Sequence, residues 1–391
     1  MSNSFKTFLK HTAKDFHNQS VNPPVVRAST IIFKSMKDIR KTQAKAIKNP
    51  TGGHYDYGRQ GTSTTYILQK ILTKLEESYH VFTTPTGFGA VFLAIFSVTR
   101  PGDEIIVADP VYSPTRILTE NFLKEFNIKT TFYDPHDLKT LEKSITKNTK
   151  LIFVENPGSN SFDFQDLGKI ISIAKKHKIL TAMDNTWGTP YFLKPIKLGF
   201  DMAIVSATKY YSGHSDVMGG SLAVNKKGFP KVKAAERITG LRLGPDDAYL
   251  ITRGLRTLDV RLDRHRENAK KVAEFLSKNK KFTLLYPYKK DSYNFRMWKK
   301  YYSGASGLMG VQIKSKNVNS IRKFVNSLKL FGYGYSWGGF ESLALHQEFR
   351  ETGKRKYLKL KKDEHLVRFH IGLEDPSDLI ADIKQALKHL K

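Results

Sequence analysis

Apolar and polar residues alternate along positions 80 to 225 in a way that predicts β-strands and α-helices in turn. Runs of four or five apolar residues are typical of buried strands, and apolar residues three or four positions apart mark one face of a helix. Such alternation indicates an α/β fold with a doubly wound, mostly parallel sheet and helices on both faces. The predicted strands lie at 104–108, 151–155, 179–184, 202–205 and 219–224.

Helix boundaries are predicted from capping residues that stand beside one-sided apolar stripes. One helix is predicted to begin near Thr62, and another is predicted to have Ser113 as its cap and Pro114 in its first turn. Asp375 is predicted to cap the last helix. Further helices are predicted at 91–96, 166–177, 246–277 and 376–389.

The chain is predicted to contain an N-terminal arm and two domains. Residues 1–60 are polar and are interrupted by proline and glycine, so they predict an extended arm. Residues 61–255 are predicted to form a large domain, and residues 256–391 a smaller C-terminal α/β domain. Because an arm seldom stabilises itself, it is expected to pack on another subunit, which requires at least a dimer.

The composition excludes several classes of protein. The 391 residues are 40% hydrophobic, which is ordinary for a globular chain. The chain has no cysteine, which excludes disulfides, thiolate metal sites and cysteine nucleophiles, and no metal is predicted. No signal peptide is recognised, and no run reaches the roughly 18 apolar residues of a membrane helix. The sequence therefore predicts a soluble cytoplasmic protein with no membrane partner.

The formal net charge of +29 raises the question of an anionic partner. The lysines are scattered along the chain, however, and no nucleic-acid-binding motif is recognised. We therefore interpret them mostly as solvated surface residues and predict no nucleic-acid partner. A basic nucleic-acid-binding scaffold without catalytic activity is the alternative, and it predicts a colourless protein.

Two charged residues follow neighbouring apolar strands and indicate the chemistry of the site. Lys209 lies after the strand at 202–205 among small hydroxylated residues and glycines, and Asp184 ends the strand at 179–184. Strands of an open α/β sheet present such residues to the crevice where ligands bind. An amine that can form a Schiff base and a carboxylate that can keep a ring nitrogen protonated together fit pyridoxal 5'-phosphate. Each residue alone would more often be an ordinary surface charge.

Two further segments fit the same cofactor. A glycine turn at residues 85–89 opens onto an apolar helix, and backbone amides at a helix start bind phosphate. Gly87 and Phe88 are therefore predicted to contact the phosphate, although such turns often serve only close packing. Tyr112 follows the strand at 104–108, where a flat aromatic ring can stack on a pyridine ring.

Three motifs follow one another along the chain: Tyr57-Gly58-Arg59, Asp184-Asn185-Thr186 and Ser206-Ala207-Thr208-Lys209-Tyr210. In these motifs and their order the chain resembles the pyridoxal-phosphate-dependent enzymes of cysteine and methionine metabolism. Segments at 21–30, 213–216, 252–258, 335–343 and 367–375 are similar to the bacterial cystathionine β-lyases within that family. The resemblance implies an aspartate-aminotransferase-like fold of type I and a homotetramer built from paired dimers.

The resemblance also implies roles for individual residues. Tyr57 and Arg59 are expected to reach the cofactor phosphate of a neighbouring chain, and Ser206 and Thr208 are expected to help anchor the phosphate. Lys209, Tyr112 and Tyr57 are the candidates for moving protons. Arg368 lies on an apolar strand and needs an anionic partner, which the resemblance implies is the substrate α-carboxylate. Ser336 and Trp337 are expected to line the substrate pocket.

The activity implied by the resemblance is carbon–sulfur β-elimination, which cleaves L-cystathionine to homocysteine, pyruvate and ammonia in methionine biosynthesis. A γ-acting lyase or synthase is the first alternative, since the same lysine could remove a second proton at Cβ. Racemisation of an amino acid such as alanine is a further alternative, because a carbanion protonated on its other face gives the mirror image. Two departures from the family pattern, the bulky Phe88 and the paired Tyr210 and Tyr211, could alter substrate choice.

Overall fold

The computed structural model of the chain describes residues 4–12, 19–287, 290, 292–347, 355–357, 360–361 and 363–390. Within these residues, seven strands form one sheet in the order β1-β7-β6-β5-β4-β2-β3. Strands β2 to β6 run parallel, and β7 is antiparallel to both of its neighbours. The strands are β1 His80–Thr84, β2 Glu104–Ala108, β3 Lys129–Tyr133, β4 Thr149–Glu155, β5 Leu180–Asp184, β6 Met202–Ser206 and β7 Gly220–Val224.

The central strands are buried on both faces, which explains why they read as continuous apolar runs. All five residues of β2 are buried, as are the first four residues of β5 and β6. The mostly parallel α/β sheet predicted from the sequence is thereby confirmed.

A second sheet lies in the C-terminal part of the chain and is entirely antiparallel among the described residues. Its order is β10-β11-β9-β8, and a second apolar core packs around it. The domain boundary at residue 255 stays a prediction. The four strands are β8 Phe282–Leu285, β9 Leu308–Lys314, β10 Leu343–Gln347 and β11 Glu364–His370.

Helices cover the large sheet and flank the small one. The α-helices are Phe5–Lys10, Met36–Lys48, Ser63–Leu75, Gly87–Val98, Ser113–Ile117, Leu123–Glu125, Leu138–Lys143, Leu167–Lys176, Thr189–Phe192, Pro195–Leu198, Phe229–Thr239, Pro245–Leu255, Leu258–Leu276, Tyr293–Tyr301, Val318–Asn326 and Pro376–Ala386. Short 3₁₀ turns span Gly58–Gln60 and Leu387–His389, and a π-helical turn spans Leu118–Phe122. Among the described residues, none of these helices is both long and apolar enough to cross a membrane.

The helix predicted over residues 246–277 is in fact two helices, Pro245–Leu255 and Leu258–Leu276. The break follows from the carbonyl of Gly254, which accepts hydrogen bonds from the Thr257 N–H and from the guanidinium of Arg261. A continuous α-helix would instead pair that carbonyl with the N–H four residues on. The Arg261 side chain thus completes the C-terminal end of the first helix.

The prediction that residues 1–60 are extended was partly wrong, because the helix Met36–Lys48 lies within them. Ser35 is the N-cap of that helix, and its hydroxyl accepts from the N–H of Asp38. The cap predicted at Ser113 was displaced by one residue, since Tyr112 is the N-cap and Ser113 is the first helical residue. Asp375 does cap the last helix, by accepting from Ser377 N–H at 2.8 Å.

Candidate active site

The carboxyl ends of strands β5 and β6 bring Asp184 and the segment that carries Lys209 together. The two strands run parallel and side by side, with Asp184 opposite Ile204 in register. After β6 the chain makes a tight turn in which the Lys209 N–H donates to Ser206 O at 3.1 Å. Because parallel strands end at the same edge of a sheet, an acid and an amine meet at this crevice.

The Asp184 carboxyl is mostly buried and is oriented by its neighbour Thr186. The backbone N–H and the hydroxyl of Thr186 donate to the same oxygen, Oδ1, at 2.9 and 2.6 Å. Burial raises the pKa of Asp184, and these two hydrogen bonds and the charge of Lys209 oppose that rise. A buried carboxylate held in this way favours a cationic or N–H partner.

The amine of Lys209 is mostly buried, and this environment suits a nucleophile. Its Nζ lies 2.5 Å from Ser336 Oγ and 5.5 Å from the centroid of the Trp337 ring. Burial lowers the pKa of Lys209 to about 8, with a further lowering by the Arg368 cation and an opposing rise from Asp184. A substantial fraction of the amine is therefore neutral at physiological pH, and only the neutral form attacks a carbonyl.

The helix Gly87–Val98 begins beside the turn that holds Lys209. A Cβ atom at Gly87 would lie 2.4 Å from Ser206 Oγ, so only glycine allows the two segments to approach so closely. Thr86 caps the helix by accepting from Gly89 N–H at 2.9 Å, which leaves the first-turn amides of Gly87 and Phe88 without that partner. Amides at a helix start are groups that bind phosphate, and the predicted contact of Gly87, Phe88 and Ser206 with a phosphate stays a prediction.

Thr208 lies within the turn after β6 and is hydrogen-bonded to Gly219, the residue before strand β7. Its hydroxyl donates to Gly219 O at 3.2 Å and accepts from Gly219 N–H at 3.0 Å. The structure thus gives Thr208 a structural partner, and its predicted contact with phosphate stays a prediction.

Glu155 is a mostly buried acid that the sequence reasoning did not assign to the site. It is the last residue of β4 and lies opposite Asp184 in register. Burial raises the pKa of Glu155 well above its ordinary value, and the nearby charge of Asp184 adds to the effect. Its Oε2 accepts from the Tyr112 N–H at 2.6 Å. An acid at the end of a buried strand is the same signal that identified Asp184.

We expect Glu155 to act through the hydrogen bond that it accepts from Tyr112. Replacing Glu155 with Ala should lower kcat/KM by up to about tenfold, because the hydrogen bond that holds the Tyr112 backbone is lost and such a bond contributes about 0.5–1.5 kcal/mol. Glu155→Gln keeps an acceptor oxygen and should stay within about threefold of wild type. Steady-state kinetics with melting temperatures would compare the two. Equal losses in both variants would mean that the charge of Glu155 matters rather than its hydrogen bond.

Arg368 lies on β11, across the crevice from the large sheet. Its Nη2 donates to Ser336 O at 3.1 Å and to Gly334 O at 3.4 Å. Burial lowers the pKa of Arg368, and the electrostatic influence of Tyr112 opposes that lowering. Arg368 and Lys209 both contact Ser336, and Asp184 ends the strand beside the one that leads to Lys209, so the three groups lie around one crevice.

Tyr57 and Arg59 do not contact Lys209, Asp184 or Arg368 among the described contacts of the single chain. Tyr57 is 48% exposed and bridges to Thr30, while Arg59 donates to Arg237 O at 3.0 Å. Their expected contact with a phosphate in a neighbouring chain stays a prediction.

A separate cavity of about 500 Å³ lies between the N-terminal segment and helix Phe229–Thr239. None of the predicted site residues lines it. Polar and charged residues line much of this cavity, including His54, Asp56, Lys233, Glu236 and Arg242. Among the described residues, no cluster of three or more acidic or histidine side chains could hold a metal ion.

The arrangement around Lys209 fits a ligand with three distinct groups. The partly neutral amine of Lys209 suits an aldehyde, and the oriented carboxylate of Asp184 suits a protonated ring nitrogen. The N-terminus of the helix Gly87–Val98, where Gly87 approaches Ser206 closely, suits a phosphate. These are the groups of pyridoxal phosphate. A family model described as Cys/Met metabolism PLP-dependent enzyme matches residues 6–388.

The chain belongs to this family. Pyridoxal phosphate is accordingly its cofactor. The match extends over nearly the whole chain, so it includes both sheets and every predicted site residue.

Individual relatives in the family have different names. A cystathionine beta-lyase of Bordetella avium is 36% identical over 94% of this chain and 92% of its own length. An L-alanine/L-glutamate racemase of Wolbachia pipientis wMel is 35% identical over 95% and 93%. The cystathionine gamma synthase of Xanthomonas oryzae pv. oryzae, solved with aminoacrylate and cysteine, superimposes with a TM-score of 0.90, at 28% identity and 100% and 99% coverage. The structural match confirms the type I fold of pyridoxal-phosphate enzymes, and the chain is a pyridoxal-phosphate-dependent enzyme of cysteine and methionine metabolism.

Proposed function

We propose that the enzyme is a carbon–sulfur β-lyase that cleaves L-cystathionine to homocysteine, pyruvate and ammonia. The observation that supports this most is the convergence of Lys209, Asp184 and Arg368 in one crevice, beside the Ser336-Trp337 segment. The similarity to a cystathionine beta-lyase over almost the full chain adds to it. On this proposal the enzyme serves methionine biosynthesis.

Each charged residue has one task in this reaction. Arg368 binds the substrate α-carboxylate by two parallel hydrogen bonds, which fixes the orientation of Cα. Lys209 Nζ takes the proton from Cα, and a pKa of about 8 suits an amine that must exist in both protonation states near neutral pH. Asp184 would keep the ring nitrogen of the cofactor protonated. Tyr112 would contact the ring, and Gly87, Phe88, Ser206 and Thr208 would hold the phosphate.

Bound pyridoxal phosphate supplies an aldehyde that captures amines and a ring that accepts electrons from Cα. With sulfur on Cβ, loss of the Cα proton is followed by cleavage of the Cβ–S bond, and the sulfur leaves as the thiol of homocysteine. The three-carbon fragment, aminoacrylate, reacts with water to give pyruvate and ammonia. The protein supplies the proton transfers, and Lys209, Tyr112 and Tyr57 are the residues proposed to make them.

The products formed from cystathionine test this assignment. We expect the purified holoenzyme to release pyruvate and homocysteine in equal amounts, measured by mass spectrometry after a short incubation. Release of 2-oxobutyrate and cysteine would instead assign the enzyme to γ-elimination. Trp337 is the residue that we expect to restrict the substrate to the β mode, because its ring lies beside Lys209 and limits the space there.

Racemisation is a second candidate activity, supported by the similarity to the L-alanine/L-glutamate racemase. Alanine has no leaving group on Cβ, so a Cα carbanion can only regain a proton. Chiral chromatography of L-alanine incubated with the enzyme would detect D-alanine. A racemisation rate above the rate of cystathionine cleavage would make racemisation the principal activity.

The active form is proposed to be a homotetramer of paired dimers. Among the described contacts of their own chain, Tyr57 and Arg59 do not reach Lys209, Asp184 or Arg368. This is expected if they contribute to the site of a neighbouring subunit. Mixing an Arg59→Ala variant with a Lys209→Ala variant would then restore part of the activity that each lacks alone. On this view residues 1–60 join subunits, while residues 61–255 and 256–391 form the two domains.

A further inference from the structure

A short loop, residues 336–342, lies between Arg368 and Lys209 and leads into strand β10. Ser336 has a positive φ of 78°, and Gly338 has a φ of 90°. A left-handed conformation at serine costs energy and persists only where surrounding contacts impose it. The loop is therefore held in place by contacts from elsewhere in the fold.

The loop packs directly on the backbone of the lysine segment. A Cβ at Gly338 would lie 3.0 Å from Lys209 Cα and 2.9 Å from Tyr210 N, so a side chain there would displace one segment or the other. Any movement of the loop at Gly338 therefore changes the position of Ser336 and Trp337 relative to the Lys209 amine.

Strand β11 supplies two of the side chains that hold this loop, at positions two residues apart on one face of the strand. Arg368 binds the first residue of the loop through Ser336 O, and it also donates to Gly334 O just before the loop. His370 binds the middle and the far part. Its Nε2 lies 3.1 Å from Gly338 N, and its Nδ1 lies 3.0 Å from Glu341 O.

These two contacts define the protonation state of the imidazole. The backbone N–H of Gly338 can only donate, so Nε2 is an unprotonated acceptor, and the carbonyl of Glu341 can only accept, so Nδ1 carries the proton. Burial lowers the pKa of His370 well below its usual value, with the neighbouring His265 as a further cause, which keeps this neutral form. A second proton on Nε2 would face the Gly338 N–H, and that hydrogen bond would be lost.

We propose that His370 is a positioning residue, which as a neutral imidazole fixes the loop 336–342 against Lys209 and thereby sets the substrate-facing position of Ser336 and Trp337. This inference rests on the proposed function for the role of the loop toward substrate. The contact between His370 and the loop itself does not depend on it.

A second buried histidine provides a matched control. His265 lies with its ring centroid 5.2 Å from that of His370 and is itself fully buried. Its Nδ1 lies 2.8 Å from Ile371 O, so among its described hydrogen bonds none reaches the loop. Replacing either histidine with leucine removes a buried imidazole from the same apolar cluster, but only His370→Leu removes hydrogen bonds to the loop.

The first measurement uses the protein without added cofactor or substrate. Hydrogen–deuterium exchange of peptides spanning residues 336–342 should be about ten- to a hundredfold faster in His370→Leu than in wild type, because two hydrogen bonds are lost. His265→Leu should leave exchange in that segment within about threefold of wild type. His370→Gln, whose amide oxygen can accept from Gly338, should recover part of the protection. Equal exchange in the two leucine variants would overturn the proposal.

The second measurement uses the holoenzyme and its kinetics. His370→Leu should raise KM for cystathionine about tenfold, with a smaller change in kcat, whereas His265→Leu should lower the melting temperature without that rise in KM. An unchanged KM in His370→Leu would overturn the substrate-facing role, and inactivity of wild type toward cystathionine would overturn the proposed function. If His370→Leu does not fold, the comparison of His370→Phe with His265→Phe, which keep a ring but make no such hydrogen bonds, decides by the same two criteria.

Discussion

Lys209→Ala is expected to bind no cofactor covalently and to lower the rate of β-elimination by at least about 10²–10⁴-fold, the usual contribution of one positioned proton-transfer group. The loss follows from the position of the amine, which is buried beside Ser336 and Trp337 and has its pKa lowered to about 8. No other described lysine combines these properties with a position at the carboxyl edge of the large sheet. The visible absorbance of the purified protein and its turnover of cystathionine are the two measurements.

Lys209→Arg is the matched control for this prediction. Arginine keeps the positive charge but is always protonated in proteins, so it offers neither a nucleophile nor a base. It should therefore be as inactive as the alanine variant. A substitution at the exposed Lys278, which lies after helix Leu258–Leu276, should change nothing. Covalent cofactor and normal turnover in Lys209→Ala would refute the assignment of the amine.

Most of the site residues that could be predicted from the sequence lie at or just after the ends of strands. Asp184 follows a short apolar run at the edge of a parallel sheet, and Lys209 lies in the turn after another, so local pattern and topology were enough to place them. Glu155 also ends a short apolar strand, but it was not predicted as a site residue because no recognised motif surrounds it. Its proximity to Asp184 depends on the register of β4 and β5, which the sequence does not state.

The role of His370 illustrates what local pattern could not provide. Its partners Gly338 and Glu341 lie 32 and 29 residues away along the chain, in a loop whose positive φ values have no strong sequence signature. The helix Met36–Lys48 is a different case, because its signal was present. Ser35 followed three residues later by Asp38 is a capping pattern, but the prolines and glycines on either side favoured an extended arm.

Arg368→Gln is the second variant for which we expect a large effect. Without the guanidinium, the substrate α-carboxylate loses its cationic partner in a mostly buried site, which costs about 2–5 kcal/mol or roughly 30- to 5000-fold in kcat/KM. Most of the loss should appear in KM. Arg368→Lys keeps the charge without the planar fork, so it should recover only part of the binding. A substrate analogue that lacks the α-carboxylate should bind equally to the variant and to wild type.

The same substitution should also move the pKa of Lys209, in a direction that the structure defines. The Arg368 cation lowers that pKa and the Asp184 anion raises it. Removing Arg368 should therefore raise the pKa of Lys209, and Asp184→Asn should lower it. Only the neutral amine captures pyridoxal phosphate, so the rate of capture by the apoprotein should rise with pH through a midpoint near 8 in wild type. That midpoint should lie higher in Arg368→Gln, near the wild-type value in Arg368→Lys, and lower in Asp184→Asn. A downward shift of the midpoint in Arg368→Gln would show that the Arg368 cation does not lower the pKa of Lys209.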